Sequence, residues 1–371
     1  MQKYLNQLHK VITEGHMHED RTGVGRQSVF GLTERYDLTK GFPAVTTRAL
    51  PLSSIIAELL WMISGSVNNN VLLDKDCKFW DRWALSEADV DAFVEENLVN
   101  DGVHTEEEVE QARGNLKQLT GSLGPIYGAM WRNAPQPVNV PYWPKIAFAD
   151  IPWDKRVTLE KLFNEAVQKK LEEDPSADIS AYDLEDFCCV NYRRTVDQLN
   201  ELVLGLRDRP YSSRHVVTAW VPSEVSLETL SPGENVILMR GALAPCHVMF
   251  QCFVSPPKEE GGKPRLSLMM TQRSADMAIG VPSNIVQYSL LLSMLAHVTG
   301  MEAYEFIHSI GDAHLYADQI ELAKTQLERA PNILPALWLN PAVTSLFDFT
   351  VDDIKFAGYE AQEAIKYPLA K

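Results

Sequence analysis

The sequence predicts a protein of the mixed α/β (α+β) class. Three segments have the apolar and β-branched residues that are typical of strands, and they are residues 215–221, 246–254 and 265–273. Residues 284–300 form a long, nearly all-apolar run that ends at a glycine, which is typical of a buried central helix. Residues 53–65 also have apolar side chains at helical spacing. Because strand-like and helix-like segments occur in one chain, we expect both to contribute to one core.

The first third of the chain contains recognisable elements in order. Residues 1–15 have the pattern of an amphipathic helix. A glycine-punctuated loop, HEDRTGVGRQSVFG at residues 18–31, then leads into a strand. The helix at 53–65 is followed by KFWDRWA at 78–84, which is dense in aromatic residues, and a turn-rich segment at 121–132 resumes ordered structure. Polar and aromatic residues, such as those at 78–84, therefore lie close in sequence to the predicted apolar helix at 53–65.

Two segments differ in composition and are interpreted as insertions into a single domain that spans residues 1–371. Residues 86–118 are acidic and helix-prone, with ten Asp and Glu against two Lys and Arg between Ser86 and Lys117. This excess of eight negative charges is half of the formal net charge of −16. Residues 135–190 are rich in proline and tryptophan and continue into a charged helix. We expect both insertions to be surface elaborations or to pack at the flank of a dimer.

The composition excludes several classes of function. A net charge of −16 offers few cations to replace phosphate counterions, so duplex nucleic acid is not an expected partner, although local arginines can bind a small anion. The five cysteines lack the spacing of a disulfide framework or a metal site, so we expect reduced thiols and no metal. We find neither a membrane span of 18 apolar residues nor an export signal. We therefore expect a cytoplasmic protein, in the host cytoplasm if the chain is viral.

The cysteine in ALAPCHVMFQCF, residues 242–253, has two interpretations. Cys246 is either a buried core thiol or a nucleophile. A nucleophile needs a neighbour that stabilises the thiolate, and Arg273 is a candidate because its strand can pair with that of Cys246 through the 257–265 loop. His247 is adjacent, but in an extended segment its side chain points to the opposite face, which disfavours a Cys–His couple.

Three further features carry polar chemistry and leave alternatives open. Asn284 stands at the start of the apolar helix, where it is either an N-cap or an amide that reads a ring edge with both N–H and C=O groups. Glu58 lies on an apolar helical face, where it is either ion-paired or snorkelling, or a general acid/base with a raised pKa. The segment GDAHLYAD, residues 311–318, predicts a turn followed by a helix.

Eight motifs, taken together and in order, resemble one protein family across the whole chain outside the insertions. They are DRTG (20–23), ELLW (58–61), WDRW (80–83), LGPIYGAMWR (123–132), APCH (244–247), QRSAD (272–276), GVPSNI (280–285) and GDAHLY (311–316). This combination resembles the thymidylate synthase family, which also includes the pyrimidine-nucleotide hydroxymethylases known mainly from bacteriophages. The resemblance implies a kinked mixed β-sheet flanked by helices, with two sheets packed back to back in a homodimer.

The resemblance also implies a reaction. Cys246 aligns with the nucleophile that adds to C6 of dUMP, so that C5 can attack the one-carbon unit of 5,10-methylenetetrahydrofolate. The residues implied to act in catalysis are Cys246, Glu58, Tyr127, Arg273, Asp276 and His247. The residues implied to bind dUMP are Arg21, Arg214, His215, Gln272, Arg273, Ser274, Asn284, His314 and Tyr316. The residues implied to contact folate are Phe79, Trp80, Trp83, Leu243, Asp276, Gly280 and Ser283.

Within these sets, single residues have single tasks by resemblance. Arg273 touches both the sulfur and the phosphate, and Arg214 reaches the phosphate of the partner subunit's site. Asn284 reads the O4/N3 edge of uracil, whereas an aspartate at this position is found in relatives that take cytosine nucleotides. His314 and Tyr316 hold the 3′-hydroxyl of the deoxyribose.

The chain departs from the usual pattern of the family at several positions. His215 replaces a second phosphate-binding arginine, and Ser283 replaces a phenylalanine that packs on the folate. Phe79 stands where a smaller residue is common and can refill part of that space, and Lys371 replaces an apolar terminal residue. In the segment RALPLSS, residues 48–54, Ala49, Pro51 and Ser53 replace polar or cationic groups near the folate tail.

These departures favour water reaching the reaction intermediate, or folate leaving early. We therefore expect a deoxyuridylate hydroxymethylase that makes 5-hydroxymethyl-dUMP. The alternative is a thymidylate synthase that makes dTMP and dihydrofolate. A second alternative is an inactive homologue that binds nucleotide or RNA, although the Cys246, Arg273, Asn284 and Glu58 set argues against it.

Overall fold

A six-stranded mixed sheet forms the centre of the structure, a computed structural model that describes residues 1–19, 23–100, 104–136 and 194–369. The α-helices of these residues are α1 (Gln2–Glu14), α2 (Leu52–Ser64), α3 (Asn70–Leu73), α4 (Glu87–Val94), α5 (Glu106–Lys117), α6 (Tyr127–Asn133), α7 (Gln198–Asp208), α8 (Pro232–Ile237), α9 (Gly280–Thr299) and α10 (Ile320–Leu327). The strands are β1 (His16–His18), β2 (Arg26–Asp37), β3 (Ala134–Gln136), β4 (Arg194–Val196), β5 (Val216–Thr218), β6 (His247–Ser255), β7 (Arg265–Asp276), β8 (Glu302–Tyr316), β9 (Ala336–Leu339) and β10 (Ile354–Ala357).

The strand order in the central sheet is β1-β2-β8-β7-β6-β5. The neighbours pair antiparallel except for β7 and β8, which are parallel. The connection between β7 and β8 is the twenty-residue helix α9, because parallel neighbours need a crossover. Register shifts interrupt the pairing between His247 and Met249 and between Leu266 and Leu268. Such irregularities bend strands, and the first of them lies directly after Cys246. The mixed α/β class predicted from the sequence is confirmed.

Helix α9 lies across one face of the sheet, and most of its side chains are buried, as its apolar sequence predicts. It begins at Gly280, four residues before the predicted start, with Ile279 as its N-cap. Directly ahead of the helix, the Asp276 carboxylate Oδ1 accepts from the N–H groups of Ala278 and Ile279. Helix α2 packs against α9 and buries an unbroken run from Ile55 to Ile63, which includes Glu58.

Residues 311–318 correct a prediction from the sequence. They do not form a turn followed by a helix, because residues 311–316 complete β8, which pairs with β2 on one side and β7 on the other. Pairing with β2 and β7 keeps this segment extended although it contains Gly311. The glycine is needed for space, since a Cβ there would lie 2.8 Å from the carbonyl oxygen of Arg273. The glycine that predicted a turn therefore allows the backbones of β7 and β8 to approach closely.

Strand β5 is shorter than the predicted 215–221 segment. β5 ends at Thr218, and the N–H of Trp220 donates to the hydroxyl of Thr218. On the outer face of the sheet, Gln251 of β6 is opposite Val216 of β5 on one side and Met269 of β7 on the other. The apolar side chains of Val216 and Met269 are exposed there. Phe253, two residues along β6, is 64% exposed on the same face.

The chain divides into two compact units, residues 1–134 with 197–371, and residues 135–196. The predicted insertion at 86–118 lies in the first unit, where α4 and α5 each start with a capping box and are joined by ion pairs of Arg113 and Lys117 with Asp91. Nearly all of the predicted insertion at 135–190 lies outside the described residues. The status of both segments as insertions stays a prediction. No helix among the described residues is long and apolar enough to cross a membrane.

Candidate active site

Cys246 directly precedes β6 and is held by its backbone from two sides. Its N–H donates to the Tyr127 hydroxyl at 2.9 Å, and its carbonyl accepts from the Arg273 N–H on β7 at 2.7 Å. The Arg273 guanidinium places Nη2 at 3.8 Å from the Cys246 Sγ and 3.3 Å from the Ala244 carbonyl. The proximity of Cys246 and Arg273 that strand pairing predicted is therefore present.

The electrostatics of the Cys246 thiol have two opposing contributions. Burial raises its pKa, and the positive charge of Arg273 lowers it, with burial the larger effect. Cys246 nevertheless remains partly accessible, unlike Cys252 in β6, which is 1% exposed. A buried thiol without a cation is inert. Among the described cysteines, Cys246 thus combines access with a neighbouring guanidinium, as a nucleophile requires.

Glu58 projects from α2 into a neutral, fully hydrogen-bonded environment. The Trp80 indole Nε1 donates to Oε1 at 2.7 Å, and the Gln287 amide Nε2 donates to Oε2 at 2.5 Å. Burial raises the pKa of Glu58 to about 7, although both hydrogen bonds oppose the shift. The ion-paired or snorkelling interpretation is wrong, because Glu58 is 8% exposed and these partners are uncharged. A carboxyl group that titrates near neutrality is suited to general acid/base chemistry.

Asn284 lies in the second turn of α9, so its interpretation as the helix N-cap is wrong. Its Oδ1 accepts from Gln272 Nε2 at 3.1 Å, and its Nδ2 donates to Gln287 Oε1 at 3.4 Å. Gln272 in turn accepts from the His308 ring at 2.7 Å. One continuous chain of hydrogen bonds therefore runs from His308 through Gln272, Asn284 and Gln287 to Glu58.

His247 belongs to this buried cluster but not to a couple with Cys246. Its ring packs against the rings of Tyr127 and Tyr288 at centroid distances of 5.0 and 5.2 Å. Burial lowers its pKa to about 4, and a hydrogen bond with Asn284 partly opposes the shift. His247 is therefore neutral near pH 7, when it can order water or a substrate group but carries no charge to stabilise a thiolate.

Asp276 and His314 are cross-strand neighbours at the ends of β7 and β8. The second oxygen of Asp276, Oδ2, accepts from Gln319 at 2.9 Å, so this carboxylate joins α9 to the segment after β8. The His314 ring contacts Tyr316 edge-on at 5.3 Å and lies 3.6 Å from the Asp312 carboxylate. Burial opposes ionisation of Asp312, but the His314 contact, Ser28 and Arg26 lower its pKa to about 2. Ser274 lies opposite Asp312 on the same pair of strands.

The predicted folate contacts are an aromatic group and residues around α9. Trp80 packs edge-on against Trp83 at 5.8 Å and against Tyr127 at 6.0 Å, which brings this group next to Cys246. Phe79, Leu243, Gly280 and Ser283 are all partly exposed. Gly280 and Ser283 lie in the first turn of α9, directly before Asn284. The Trp80 ring is buried, whereas the rings of Phe79 and Trp83 are partly exposed, and such flat, accessible rings fit the stacking of a planar heterocycle.

His215 does not fit its sequence-based assignment as a phosphate ligand. It is 4% exposed, and its Nε2 donates to the carbonyl oxygens of Arg209 and Pro210 at 3.0 and 3.2 Å. Its ring fills the space beside Gly205 of α7, where a Cβ would lie 3.1 Å from the ring. Arg214 is exposed beside it. Arg21 and Lys371 lie outside the described residues.

Two residues of the hydrogen-bonded chain were missed by sequence reasoning. Gln287 stands three residues after Asn284, so both share a helix face, and that spacing was a usable signal. His308 lies on β8 and is fully buried, and burial together with the nearby His247 lowers its pKa to about 3. Only the pairing of β7 with β8 brings it to Gln272, and sequence spacing does not predict that contact.

A family model described as thymidylate synthase matches residues 2–371, nearly the whole chain. Within the described residues, no group of three or more His, Cys, Asp or Glu side chains is arranged to hold a metal ion.

Proposed function

Because the chain belongs to the thymidylate synthase family, whose members catalyse folate-dependent one-carbon transfer to C5 of dUMP, we propose the specific outcome of its reaction. The proposed product is 5-hydroxymethyl-dUMP, which makes the protein a deoxyuridylate hydroxymethylase. The observation that carries this proposal is Ser283. A small, partly exposed hydroxyl side chain occupies the first turn of α9 next to Asn284, where the resemblance expects an aromatic wall. A hydroxyl group in place of a ring favours water close to the pyrimidine.

The chain's own residues supply the steps on the nucleotide. The Cys246 thiolate adds to C6 of the pyrimidine, with the Arg273 guanidinium beside its sulfur. C5 then becomes nucleophilic and binds the one-carbon unit that methylenetetrahydrofolate supplies. Glu58, which titrates near pH 7, accepts the C5 proton through water. The bond between the one-carbon unit and the folate nitrogen then breaks, so that tetrahydrofolate leaves and an exocyclic methylene forms at C5. Water adds to the resulting exocyclic methylene, and the C6–S bond breaks to release the product and the thiolate.

The recognition of dUMP is assigned to the groups around this nucleophile. Asn284 pairs with the N3–H and O4 edge of uracil, and His314 with Tyr316 holds the deoxyribose 3′-hydroxyl. The proposed phosphate ligands are Arg21, Arg273, Ser274 and Arg214. Trp80 and Trp83, with Phe79, offer the planar surfaces on which folate stacks. Asp276 and Leu243 complete the proposed folate side, and the cytoplasm is the proposed compartment.

Thymidylate synthase remains the second candidate because of a specific observation. The Trp80 ring closes the site beside Glu58, with Trp83 and Tyr127 packed on it. This aromatic group can exclude water without a ring at position 283, so that the folate provides a hydride and the product is dTMP.

Product analysis separates the two candidates. With dUMP and methylenetetrahydrofolate, the wild-type protein is expected to release 5-hydroxymethyl-dUMP without forming dihydrofolate. Ser283→Phe is expected to shift the ratio of dTMP to hydroxymethyl product about tenfold, since that needs only ~1.4 kcal/mol between two barriers. Ser283→Ala, which removes the hydroxyl without adding a wall, is the control and is expected to shift the ratio less. The readouts are nucleotide mass and dihydrofolate absorbance. One dihydrofolate per nucleotide from the wild type would establish the second candidate instead.

We also propose that the active unit is a homodimer. Val216, Phe253 and Met269 give the outer face of the sheet an exposed apolar surface, and a second copy packed back to back would bury it. Arg214 lies two residues before Val216, at the edge of this surface. That position supports an arginine that reaches the phosphate site of the partner subunit.

Mixed dimers test whether Arg214 acts across the interface. Cys246→Ser and Arg214→Ala chains are each expected to be nearly inactive alone, the first without its nucleophile and the second without a charge-assisted phosphate contact. In a heterodimer, one of the two sites would combine an intact Cys246 with an intact partner arginine. We expect mixing to restore activity, measured by product formation after heterodimers are shown by mass. Heterodimers that stay inactive would mean that Arg214 serves its own subunit.

A further inference from the structure

The hydrogen bonds in the chain from His308 to Glu58 all run in the same donor-to-acceptor direction. His308 donates to Gln272, Gln272 to Asn284, Asn284 to Gln287, and Gln287 to Glu58. Two contacts set this direction. When Glu58 is ionised it only accepts, so Gln287 presents its NH₂ to the carboxylate and its carbonyl to Asn284. A second Gln272 contact, to the Ser274 carbonyl at 3.2 Å, likewise requires NH₂ on that side.

The direction of the chain matters because an isolated asparagine does not distinguish uracil from cytosine. Uracil presents an N3–H donor and an O4 acceptor, whereas cytosine presents an N3 acceptor and an N4 donor. A half-turn of an amide exchanges its donor and its acceptor, so a freely rotating Asn284 can pair with either base. Discrimination therefore requires neighbours that prevent the half-turn.

We propose that Gln287 is a specificity-determining positioning residue, which holds the Asn284 amide in the orientation that pairs with uracil and rejects cytosine. This inference rests on the proposed function of the site as a dUMP site. If Asn284 turned to meet cytosine, its Oδ1 would face the Gln287 carbonyl and its NH₂ would face the Gln272 NH₂. Two buried contacts would then be repulsive, and such unsatisfied groups are costly. Gln287 does not touch the substrate in this account and acts through Asn284.

The test compares variants at position 287 by equilibrium binding and by kcat/KM for dUMP and dCMP. Gln287→Met keeps the length of the side chain but neither donates to Glu58 nor accepts from Asn284. It is expected to lower the dUMP-to-dCMP preference about tenfold, which corresponds to ~1.4 kcal/mol. The loss is partial because Gln272 still faces Asn284. Gln287→Leu serves the same purpose if the methionine variant does not fold.

Gln287→Glu is the conservative variant that should rescue discrimination. With one proton shared between its carboxyl group and Glu58, its other oxygen still accepts from Asn284, and the preference is expected to stay within about twofold of wild type. The control is Gln326→Met, because Gln326 is another fully buried glutamine, bonded to Thr47 and Tyr367. That variant is expected to lose stability but keep the wild-type preference.

The outcomes separate this inference from the proposed function. A wild-type protein that binds dUMP tightly and dCMP weakly, with the preference reduced in Gln287→Met and kept in Gln287→Glu, supports the role of Gln287. The same wild-type preference, unchanged in folded Gln287→Met or Gln287→Leu, overturns that role and leaves the dUMP site standing. A wild-type protein that does not bind dUMP overturns the proposed function and this inference with it.

Discussion

Cys246→Ser is expected to lower kcat by at least about a thousandfold while the Kd for dUMP changes by less than about threefold. The hydroxyl group preserves the shape of the thiol, but at neutral pH it is a far weaker nucleophile, even beside the Arg273 guanidinium. The backbone bonds of residue 246 to Tyr127 and Arg273 do not involve the side chain, so the site should keep its geometry. Turnover with dUMP and methylenetetrahydrofolate, together with equilibrium binding of dUMP, checks both parts.

The matched control for this variant is Cys252→Ser in β6, the strand that directly follows Cys246. Cys252 is 1% exposed, and burial raises its pKa to about 12, so it has no access and little thiolate character. We expect it to cost stability but to leave kcat per folded molecule close to wild type. Equal losses of kcat in the two variants would show that the effect is structural and that Cys246 is not the nucleophile.

Glu58→Gln is expected to have the second-largest effect on catalysis, a fall in kcat of about 10²- to 10⁴-fold. An amide keeps the hydrogen bond from Trp80 but no longer takes up a proton. In the wild type, the fraction of Glu58 able to act as a base rises with pH through about 7. The kcat of the wild type should therefore rise with pH along a limb near pH 7, and the variant should lack this limb. Pre-steady-state or steady-state rates across this pH range provide the measurement. A variant that keeps both the rate and the limb would remove Glu58 from the mechanism.

The same variant makes a separate prediction about stability. The pKa of Glu58 is raised from 4.5 to about 7 in the folded protein, so the contribution of this group to stability is fully present below pH 4.5 and is lost as pH rises through 7. By about pH 8 the folded state bears a penalty of about 3 kcal/mol for the buried carboxylate. Glu58→Gln removes that penalty, so its stability relative to wild type should increase between about pH 5 and about pH 8. Urea unfolding at both values is the check. A relative stability that is independent of pH would contradict the raised pKa.

The contacts most accessible to sequence reasoning are those made between adjacent strands. The sequence predicts that the segments carrying Cys246 and Arg273 pair across one loop, and the two residues meet where β6 begins beside β7. The apolar run after residue 284 was recognised as a buried helix because its composition leaves little alternative. The fold class followed from the same strong local patterns, and the family from eight motifs in order.

The sequence was less informative where a side chain has two chemically reasonable environments. From the sequence, Asn284 is equally reasonable as a helix cap, and only the start of α9 at Gly280, which places Asn284 in the second turn, decides against that. The resemblance implied that His215 binds phosphate in place of an arginine, but its ring is buried beside Gly205 and bonded to nearby carbonyl oxygens. Gly311 indicated a turn, whereas its lack of a side chain serves the close pairing of β8 with β7. The outcome for Gly311 depends on Arg273 of another strand, and that for His215 depends on how the chain around Arg209 and Pro210 folds back onto its ring.

The central claim is that Cys246 adds to C6 so that C5 of dUMP can exchange its proton for a one-carbon unit. The most direct measurement uses dUMP that carries tritium at C5. In the presence of methylenetetrahydrofolate, we expect tritium to be released into water in proportion to product, because the C5 proton is lost whichever product forms. Cys246→Ser should release none above background while still binding dUMP. Product formation without tritium release, or undiminished release by Cys246→Ser, would contradict the account.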